Sequence, residues 1–264
     1  MTNSLITVVS MSRRFEGYQH LVKQLETQIP DLIGQYLVFV NDDSIKDKYR
    51  KFSDTFLKIK LEGMIVEQSK VRPFFAGSDF VFKHGHDFVY NYLEKNCFTD
   101  YILKVFDTDE IVIDPEKFKQ EFTLGKDLYG IPTWMARGDS SEIKYQLYKK
   151  DLFKWIGAVH ENQEFFRTPT VYDLKGFSVF HRNAVDEASK NVEKNKDGFI
   201  ILKKVTEEEN KDSYLRNLLY ESLAYRIVYE NLPHQNAAWF KQHYQINKEV
   251  IDYYYNEALK RWSK

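Results

Sequence analysis

The chain has a single cysteine in 264 residues, Cys97, so it can build neither an intrachain disulfide framework nor a cysteine-based zinc site. No run approaches the about 20 apolar residues that a membrane-spanning helix requires. The opening Met1-Thr2-Asn3-Ser4 lacks the basic-then-apolar layout of a secretory signal, which predicts a cytoplasmic protein. An excess of one charge is lacking too: 38 basic and 39 acidic residues leave a formal net charge of −1. That excludes a strong non-specific duplex binder, which needs a basic face to displace counterions, but not a local basic patch.

What the chain does have is core-forming material. Hydrophobic residues make up 43% and charged residues 29%, a balance that suits one α/β domain with a helical appendage. Aromatics reach 16%, with 18 Tyr and 20 Phe. Most of that surplus is expected in the core, and the rest could line a groove that stacks on bases or sugar rings.

Leu5 to Ser10 is β-branched and apolar and predicts a buried first strand. A helical pattern follows from about Tyr18 to Gln28, with Leu21, Val22 and Leu25 on one face. Strands are predicted at Tyr36–Val40 and Leu57–Leu61, then a helix over Asp79–Asn96 with Phe80, Val81, His84, Phe88 and Leu93 in phase. Tyr101–Phe106 is the next strand, and Ile111–Ile113 continues extended until Pro115. Such alternation implies an α/β fold, a mainly parallel mixed sheet flanked by helices. Beyond it, Lys190–Asp212 is polar, and Ser213–Leu232 and Asn236–Trp262 are helical in pattern, separated by Pro233. The expected organisation is a core over 1–185 and a mostly helical C-terminal extension over 186–264.

Ligands of such sheets bind outside the carboxyl ends of the strands. Three polar clusters fall at such ends: Ser10 to Arg14, Asn41 to Ser44, and Asp107 to Glu110. The third is the most telling. Asp107 and Asp109, two residues apart after a hydrophobic strand, can reach one divalent cation and the diphosphate it holds, since a hard cation takes oxygen ligands. Further along, Trp155-Ile156-Gly157-Ala158-Val159-His160-Glu161 offers His160 as a ligand and Glu161 as a general base. Phe177–Phe180 then leads into His181, a candidate nitrogen ligand, and Arg182, a candidate phosphate contact.

Taken in order, these segments resemble the family-2-like glycosyltransferases of the GT-A fold. Leu103 to Glu110 is similar to their strand followed by D-x-D-E, and Trp155 to Glu161 to the W-x-G-x-V-H-E segment of one branch. The resemblance covers about residues 5 to 183. It implies a GT-A-type sheet with C-terminal helices, a divalent metal cofactor (Mn2+ or Mg2+), and a nucleotide-sugar donor, with a UDP-sugar as the expected one. Asp43 would contact the base or ribose, and Ser10, Arg13, Asp107 and Arg182 the rest of the donor. Asp109 and His181 would hold the metal, and Glu161, beside His160, would deprotonate an acceptor hydroxyl for an inverting attack on the anomeric carbon. The acceptor is left open among a polysaccharide, a protein and a hydroxymethylated DNA base, as phage-encoded members of the fold use. A DNA acceptor would call on Arg13, Arg14, Lys70, Arg72 and Arg137 near Trp134. Where family members commonly carry an Arg-Asn pair, this chain reads Lys83-His84-Gly85-His86-Asp87.

Two other readings compete. A nucleotidyltransferase would share the acidic strand end but usually opens with a Gly-rich basic loop, and Ser10 to Arg14 has no glycine. A non-catalytic nucleotide-sugar-binding module would have no need of Asp107, Asp109, Glu161 and His181 together.

Overall fold

A computed structural model describes residues 6–12, 14–40, 42–55, 58–60, 67–75, 84–107, 109–135, 141–156, 162–181, 215, 218–219, 222–223, 225–226, 230 and 244–262. The chain divides into two compact units. One comprises Met1–Phe80, Val89–Lys154 and Glu164–Val185, and the other Val81–Phe88, Trp155–Gln163 and Asp186–Lys264.

The first unit is built on a mixed sheet. Strand β1 (Ile6–Ser12) lies between β2 (Ile33–Val40) and β6 (Tyr101–Lys104), parallel to each, and β5 (Val71–Phe75) extends the parallel half beyond β2. On the other side of β6 the sheet turns antiparallel through β9 (Ser141–Lys149), which pairs with β8 (Leu128–Met135). Strand β13 (Phe177–His181) runs parallel to β8 and antiparallel to β7 (Asp109–Ile113), and β12 (Val171–Asp173) also joins β8. The order among the described strands is β5-β2-β1-β6-β9-β8-β13-β7. Two further pairs of strands form sheets of their own, β3 (Lys58–Lys60) with β4 (Glu67–Ser69), and β10 (Phe153–Ile156) with β11 (Asn162–Phe165). Predicted strand three therefore exists but belongs to a hairpin, not to the main sheet.

Every residue of β2, and all but Met11 of β1, is buried, as expected of central parallel strands covered on two faces. Helix α1 (Phe15–Gln28) buries Tyr18, Leu21, Val22 and Leu25, the i, i+3, i+4, i+7 stripe of an amphipathic helix. Each such side chain withdrawn from water contributes about 1.5–3 kcal/mol. Helix α2 (Lys46–Thr55) adds Tyr49 and Phe52 to the same core. Helix α3 (His86–Lys95) starts later than the apolar spacing predicts, and residues 79–83 lie outside the described part. Its buried face carries Val89, Tyr90 and Leu93, whereas Phe88, expected in phase with the core, is 43% exposed. Pro115 does not merely end β7. It opens helix α4 (Pro115–Phe122), whose cap Asp114 accepts the Lys117 amide at 3.1 Å, because proline has no amide hydrogen to waste in a first turn.

In the second unit, Leu218, Leu219, Tyr225, Tyr244, Ile251, Tyr254 and Ala258 form a buried cluster. The last three come from helix α5 (Lys248–Trp262), which realises the predicted helical end of the chain. Around it Arg226 meets Asp252 at 2.8 Å and Glu230 at 2.7 Å.

Candidate active site

Strands β2, β1 and β6 are neighbours and parallel, so their carboxyl ends lie side by side at one edge of the sheet. Asp42 and Asp43 follow the end of β2, Asp107 follows β6, and Ser12 is the last residue of β1. After Lys104 the chain keeps contact with β1, since the Val105 amide donates to the Val9 carbonyl at 3.2 Å. It then turns through Asp107 before Asp109 begins β7.

That turn is tied at two points. Phe106 N–H donates to Asp109 Oδ2 at 3.0 Å, and Asp109 N–H donates to the Phe106 carbonyl at 3.1 Å, so the Asp109 side chain closes its own turn. Asp107 Oδ2 receives the Ser12 hydroxyl at 2.7 Å and the Arg14 amide at 3.0 Å. The end of β1 and the acidic turn are thus clasped through one carboxylate oxygen. Helix α1 comes so close that a Cβ at Gly17 would stand 2.2 Å from the Asp107 carbonyl oxygen.

Asp109 is 3% exposed and lies opposite His181 in the antiparallel register of β7 and β13. The two residues expected to hold a metal are therefore backbone neighbours. Among the described residues no three His, Cys, Asp or Glu side chains converge; the His181 side chain itself lies outside the description. The carboxylate oxygens of Asp107 and Asp109 are donor chemistry that fits a hard divalent ion.

The turn after β2 separates its two acids. Asp42 caps it, accepting the Ser44 amide at 2.8 Å and hydroxyl at 2.7 Å. Asp43, the predicted base or ribose contact, is 62% exposed and ion-paired to Lys46. Ser10 is fully buried within β1, its hydroxyl 3.4 Å from the Met11 carbonyl, and it is Ser12 that reaches Asp107. Arg13, Thr108, His160, Glu161 and Arg182 lie outside the described residues.

Sequence reasoning missed Ser12, Gly17, Asp42 and Tyr49. Tyr49 is fully buried, with its hydroxyl 2.5 Å from Ser12 Oγ and its ring edge-on to Phe15 at 5.1 Å. Burial pushes its phenol well above the ordinary tyrosine range. The cues in the sequence are the serine-plus-arginine run at the end of β1, where Ser10 draws attention but Ser12 contacts Asp107, and the acidic turn that holds Asp42 beside Asp43.

The basic patch suggested for a DNA acceptor is weakened at one position. Lys70 is 8% exposed and bonds Glu26 at 2.9 and 3.1 Å, so its charge is spent inside the fold. Arg72 packs over Phe74 at 5.1 Å, and Arg13 and Arg137 lie outside the described residues. Among the described residues no helix is long and apolar enough to cross a membrane.

No family model matches the chain, and no curated protein sequence matches it. Among solved structures it is similar to S. aureus TarS. Against TarS 1–349, also solved in complex with UDP-GlcNAc and with UDP, the identity is 12% and the TM-score 0.46, with 98% of this chain and 92% of that chain covered. Against a longer TarS chain the TM-score is 0.44 at 12% identity, covering 75% of this chain and 39% of that one. The chain therefore spans well under half of that longer protein. A likeness at this level carries no residue correspondence.

Proposed function

We propose that this chain is a metal-dependent glycosyltransferase that moves a hexosyl or pentosyl group from a UDP-sugar to an acceptor hydroxyl, inverting the anomeric centre. The observation that supports it most is the clasp of Asp107 to the end of β1, in an acidic turn whose Asp109 faces His181. Three adjacent parallel strands end together in acidic and hydroxyl groups, the place where open α/β sheets take their ligands.

Under this reading Asp109 and His181 hold Mn2+ or Mg2+, and the ion supplies charge neutralisation for a departing diphosphate. Asp107, Arg13, Arg182 and Asp43 orient the donor, and Ser10, buried inside β1, has no contact with it. Glu161, beside His160, takes the proton of the acceptor hydroxyl, whose oxygen bonds to the anomeric carbon as the bond to the diphosphate breaks. The acceptor is a polysaccharide, a protein or a hydroxymethylated DNA base.

The test is a thermal-shift panel of UDP-, GDP- and dTDP-sugars with and without manganese, run on the wild type and on Asp109→Asn. Asparagine keeps an oxygen for the Phe106 amide and removes the charge. Saturable stabilisation of about 2.7 kcal/mol at a hundredfold excess over Kd, dependent on manganese and absent from Asp109→Asn, is the expected result. Silence across the whole panel would sink the reading, and binding without any donor hydrolysis or transfer would favour a non-catalytic module.

A further inference from the structure

We propose that Ser12 and Tyr49 are positioning residues of the donor site, acting through a one-directional hydrogen-bond relay that fixes the Asp107 carboxylate. The inference rests on the glycosyltransferase reading above and assigns its donor site two residues from outside the D-x-D turn.

Proton bookkeeping sets the direction. The Asp107 carboxylate only accepts, so at 2.7 Å the single Ser12 proton points at its Oδ2. The Ser12–Tyr49 contact of 2.5 Å must then be the phenol donating to Ser12 Oγ. The alternative target for the Ser12 proton, the Arg14 carbonyl at 3.4 Å, is too long to compete with it. Burial keeps the phenol in its protonated, donating form. Donation from Tyr49 polarises the Ser12 hydroxyl and strengthens the bond it makes to Asp107.

The relay links three elements. Tyr49 stands on α2, directly after the Asp42 turn, Ser12 ends β1, and Asp107 follows β6. Neighbouring rings hold the phenol in place: Phe15 lies 5.1 Å and Tyr18 5.4 Å from the Tyr49 ring. Tyr18 also supplies an internal control. Its hydroxyl is buried without a hydrogen-bond partner among the described residues, so it shares the packing of Tyr49 but not the relay.

The experiment is titration calorimetry with UDP and manganese on the wild type, Tyr49→Phe, Ser12→Ala, Ser12→Thr and Tyr18→Phe, with melting curves for each and donor hydrolysis split into kcat and KM. Loss of one hydrogen bond corresponds to about 2- to 12-fold. Tyr49→Phe is expected to weaken UDP by that factor, Ser12→Ala by at least as much, with the effect in KM. Ser12→Thr, which keeps the hydroxyl, should recover most of the affinity, and Tyr18→Phe should leave it unchanged. A wild type that binds UDP while Tyr49→Phe and Ser12→Ala bind it equally well would overturn the relay alone. An equal loss in Tyr18→Phe would overturn it as well, by making the effect one of packing. A wild type blind to every donor would overturn the donor-site reading, and the relay with it.

Discussion

The carboxylate of Asp127 receives two guanidinium nitrogens of Arg167, at 2.7 and 2.8 Å, together with the amide and hydroxyl of Thr170 at 3.0 and 2.8 Å. Arg167 first, and then Thr170, hold this carboxyl far below the usual carboxylate range. A depressed folded value means stability that is fully present above the unfolded pKa, about 3.9, and lost as the pH falls from there. Asp127→Asn should cost about 1–3 kcal/mol at neutral pH, since the Arg167 partner is more than half exposed and its share is screened. The gap between the melting curves of wild type and Asp127→Asn, constant from pH 7 to about 5, should narrow progressively below about pH 4. Parallel curves would rule out this carboxyl as the source of acid sensitivity.

Gly17→Ala sets two effects against each other. Alanine gains about 1 kcal/mol of helix propensity over glycine. Its Cβ, however, would meet the Asp107 carbonyl oxygen at 2.2 Å, and overpacking typically costs about 1–3 kcal/mol. The obstacle is backbone and cannot swing aside, so the steric effect should win. A Tm lowered by a few degrees is expected, with weaker UDP binding because the displaced group is the acidic turn itself. A raised Tm would show that α1 can slide away from Asp107 without loss.

Glu121 is the anchor of the loop that leads into β13. Its carboxylate accepts the Lys175 amide at 3.1 and 3.0 Å and the Gly176 amide at 2.9 Å, while itself 7% exposed. Gly176 is pressed against α4, where a Cβ would lie 2.6 Å from the Phe118 amide nitrogen. Glu121→Ala orphans the buried Gly176 amide and frees the part-buried Lys175 amide, and should cost about 1–3 kcal/mol, against about 1 for Glu121→Gln, because one amide oxygen survives as acceptor. Urea midpoints at a constant m-value would read the difference. Equal midpoints for Gln and Ala would deny the carboxylate any anchoring role.

Those three contacts show what a single sequence hides. In the parallel half, β1, β2, β6 and α1 were legible because the strands centre on β-branched and apolar runs and the helix carries one clean stripe, whereas β5 (Val71–Phe75), with Arg72 and Pro73 inside it, was not. β8 and β9 were not, since Gly130 and Pro132 interrupt the first, and a register shift at Tyr129/Gly130 breaks the alternation of the pair. Gly130 is nevertheless demanded there, as a Cβ would strike Asp173 Oδ1 at 2.3 Å and Ile143 at 2.5 Å. In the candidate site, the acidic turn stood out because two carboxylates end a hydrophobic strand. Its supports did not. Ser12 lies 95 positions from Asp107, and Tyr49 reads as one more core aromatic until its hydroxyl is located.

The Asp42-Asp43 pair offers a separation that the sequence could not make. Asp42 is a turn cap with two bonds to Ser44, and loss of such a cap costs about 1 kcal/mol. Asp43 is mostly exposed and, among the described residues, ion-paired along its own turn with Lys46, and surface pairs of that kind contribute about 0–1 kcal/mol. Asp42→Ala should therefore lower the Tm by a few degrees, and Asp43→Ala should barely move it. If Asp43 is the residue that meets the base or ribose, its alanine variant will bind UDP with manganese several-fold more weakly at unchanged stability. Should Asp43→Ala bind as tightly as the wild type while Asp42→Ala loses affinity beyond what its lower stability explains, the nucleotide contact belongs to the capping carboxylate, and the exposed one is a surface charge.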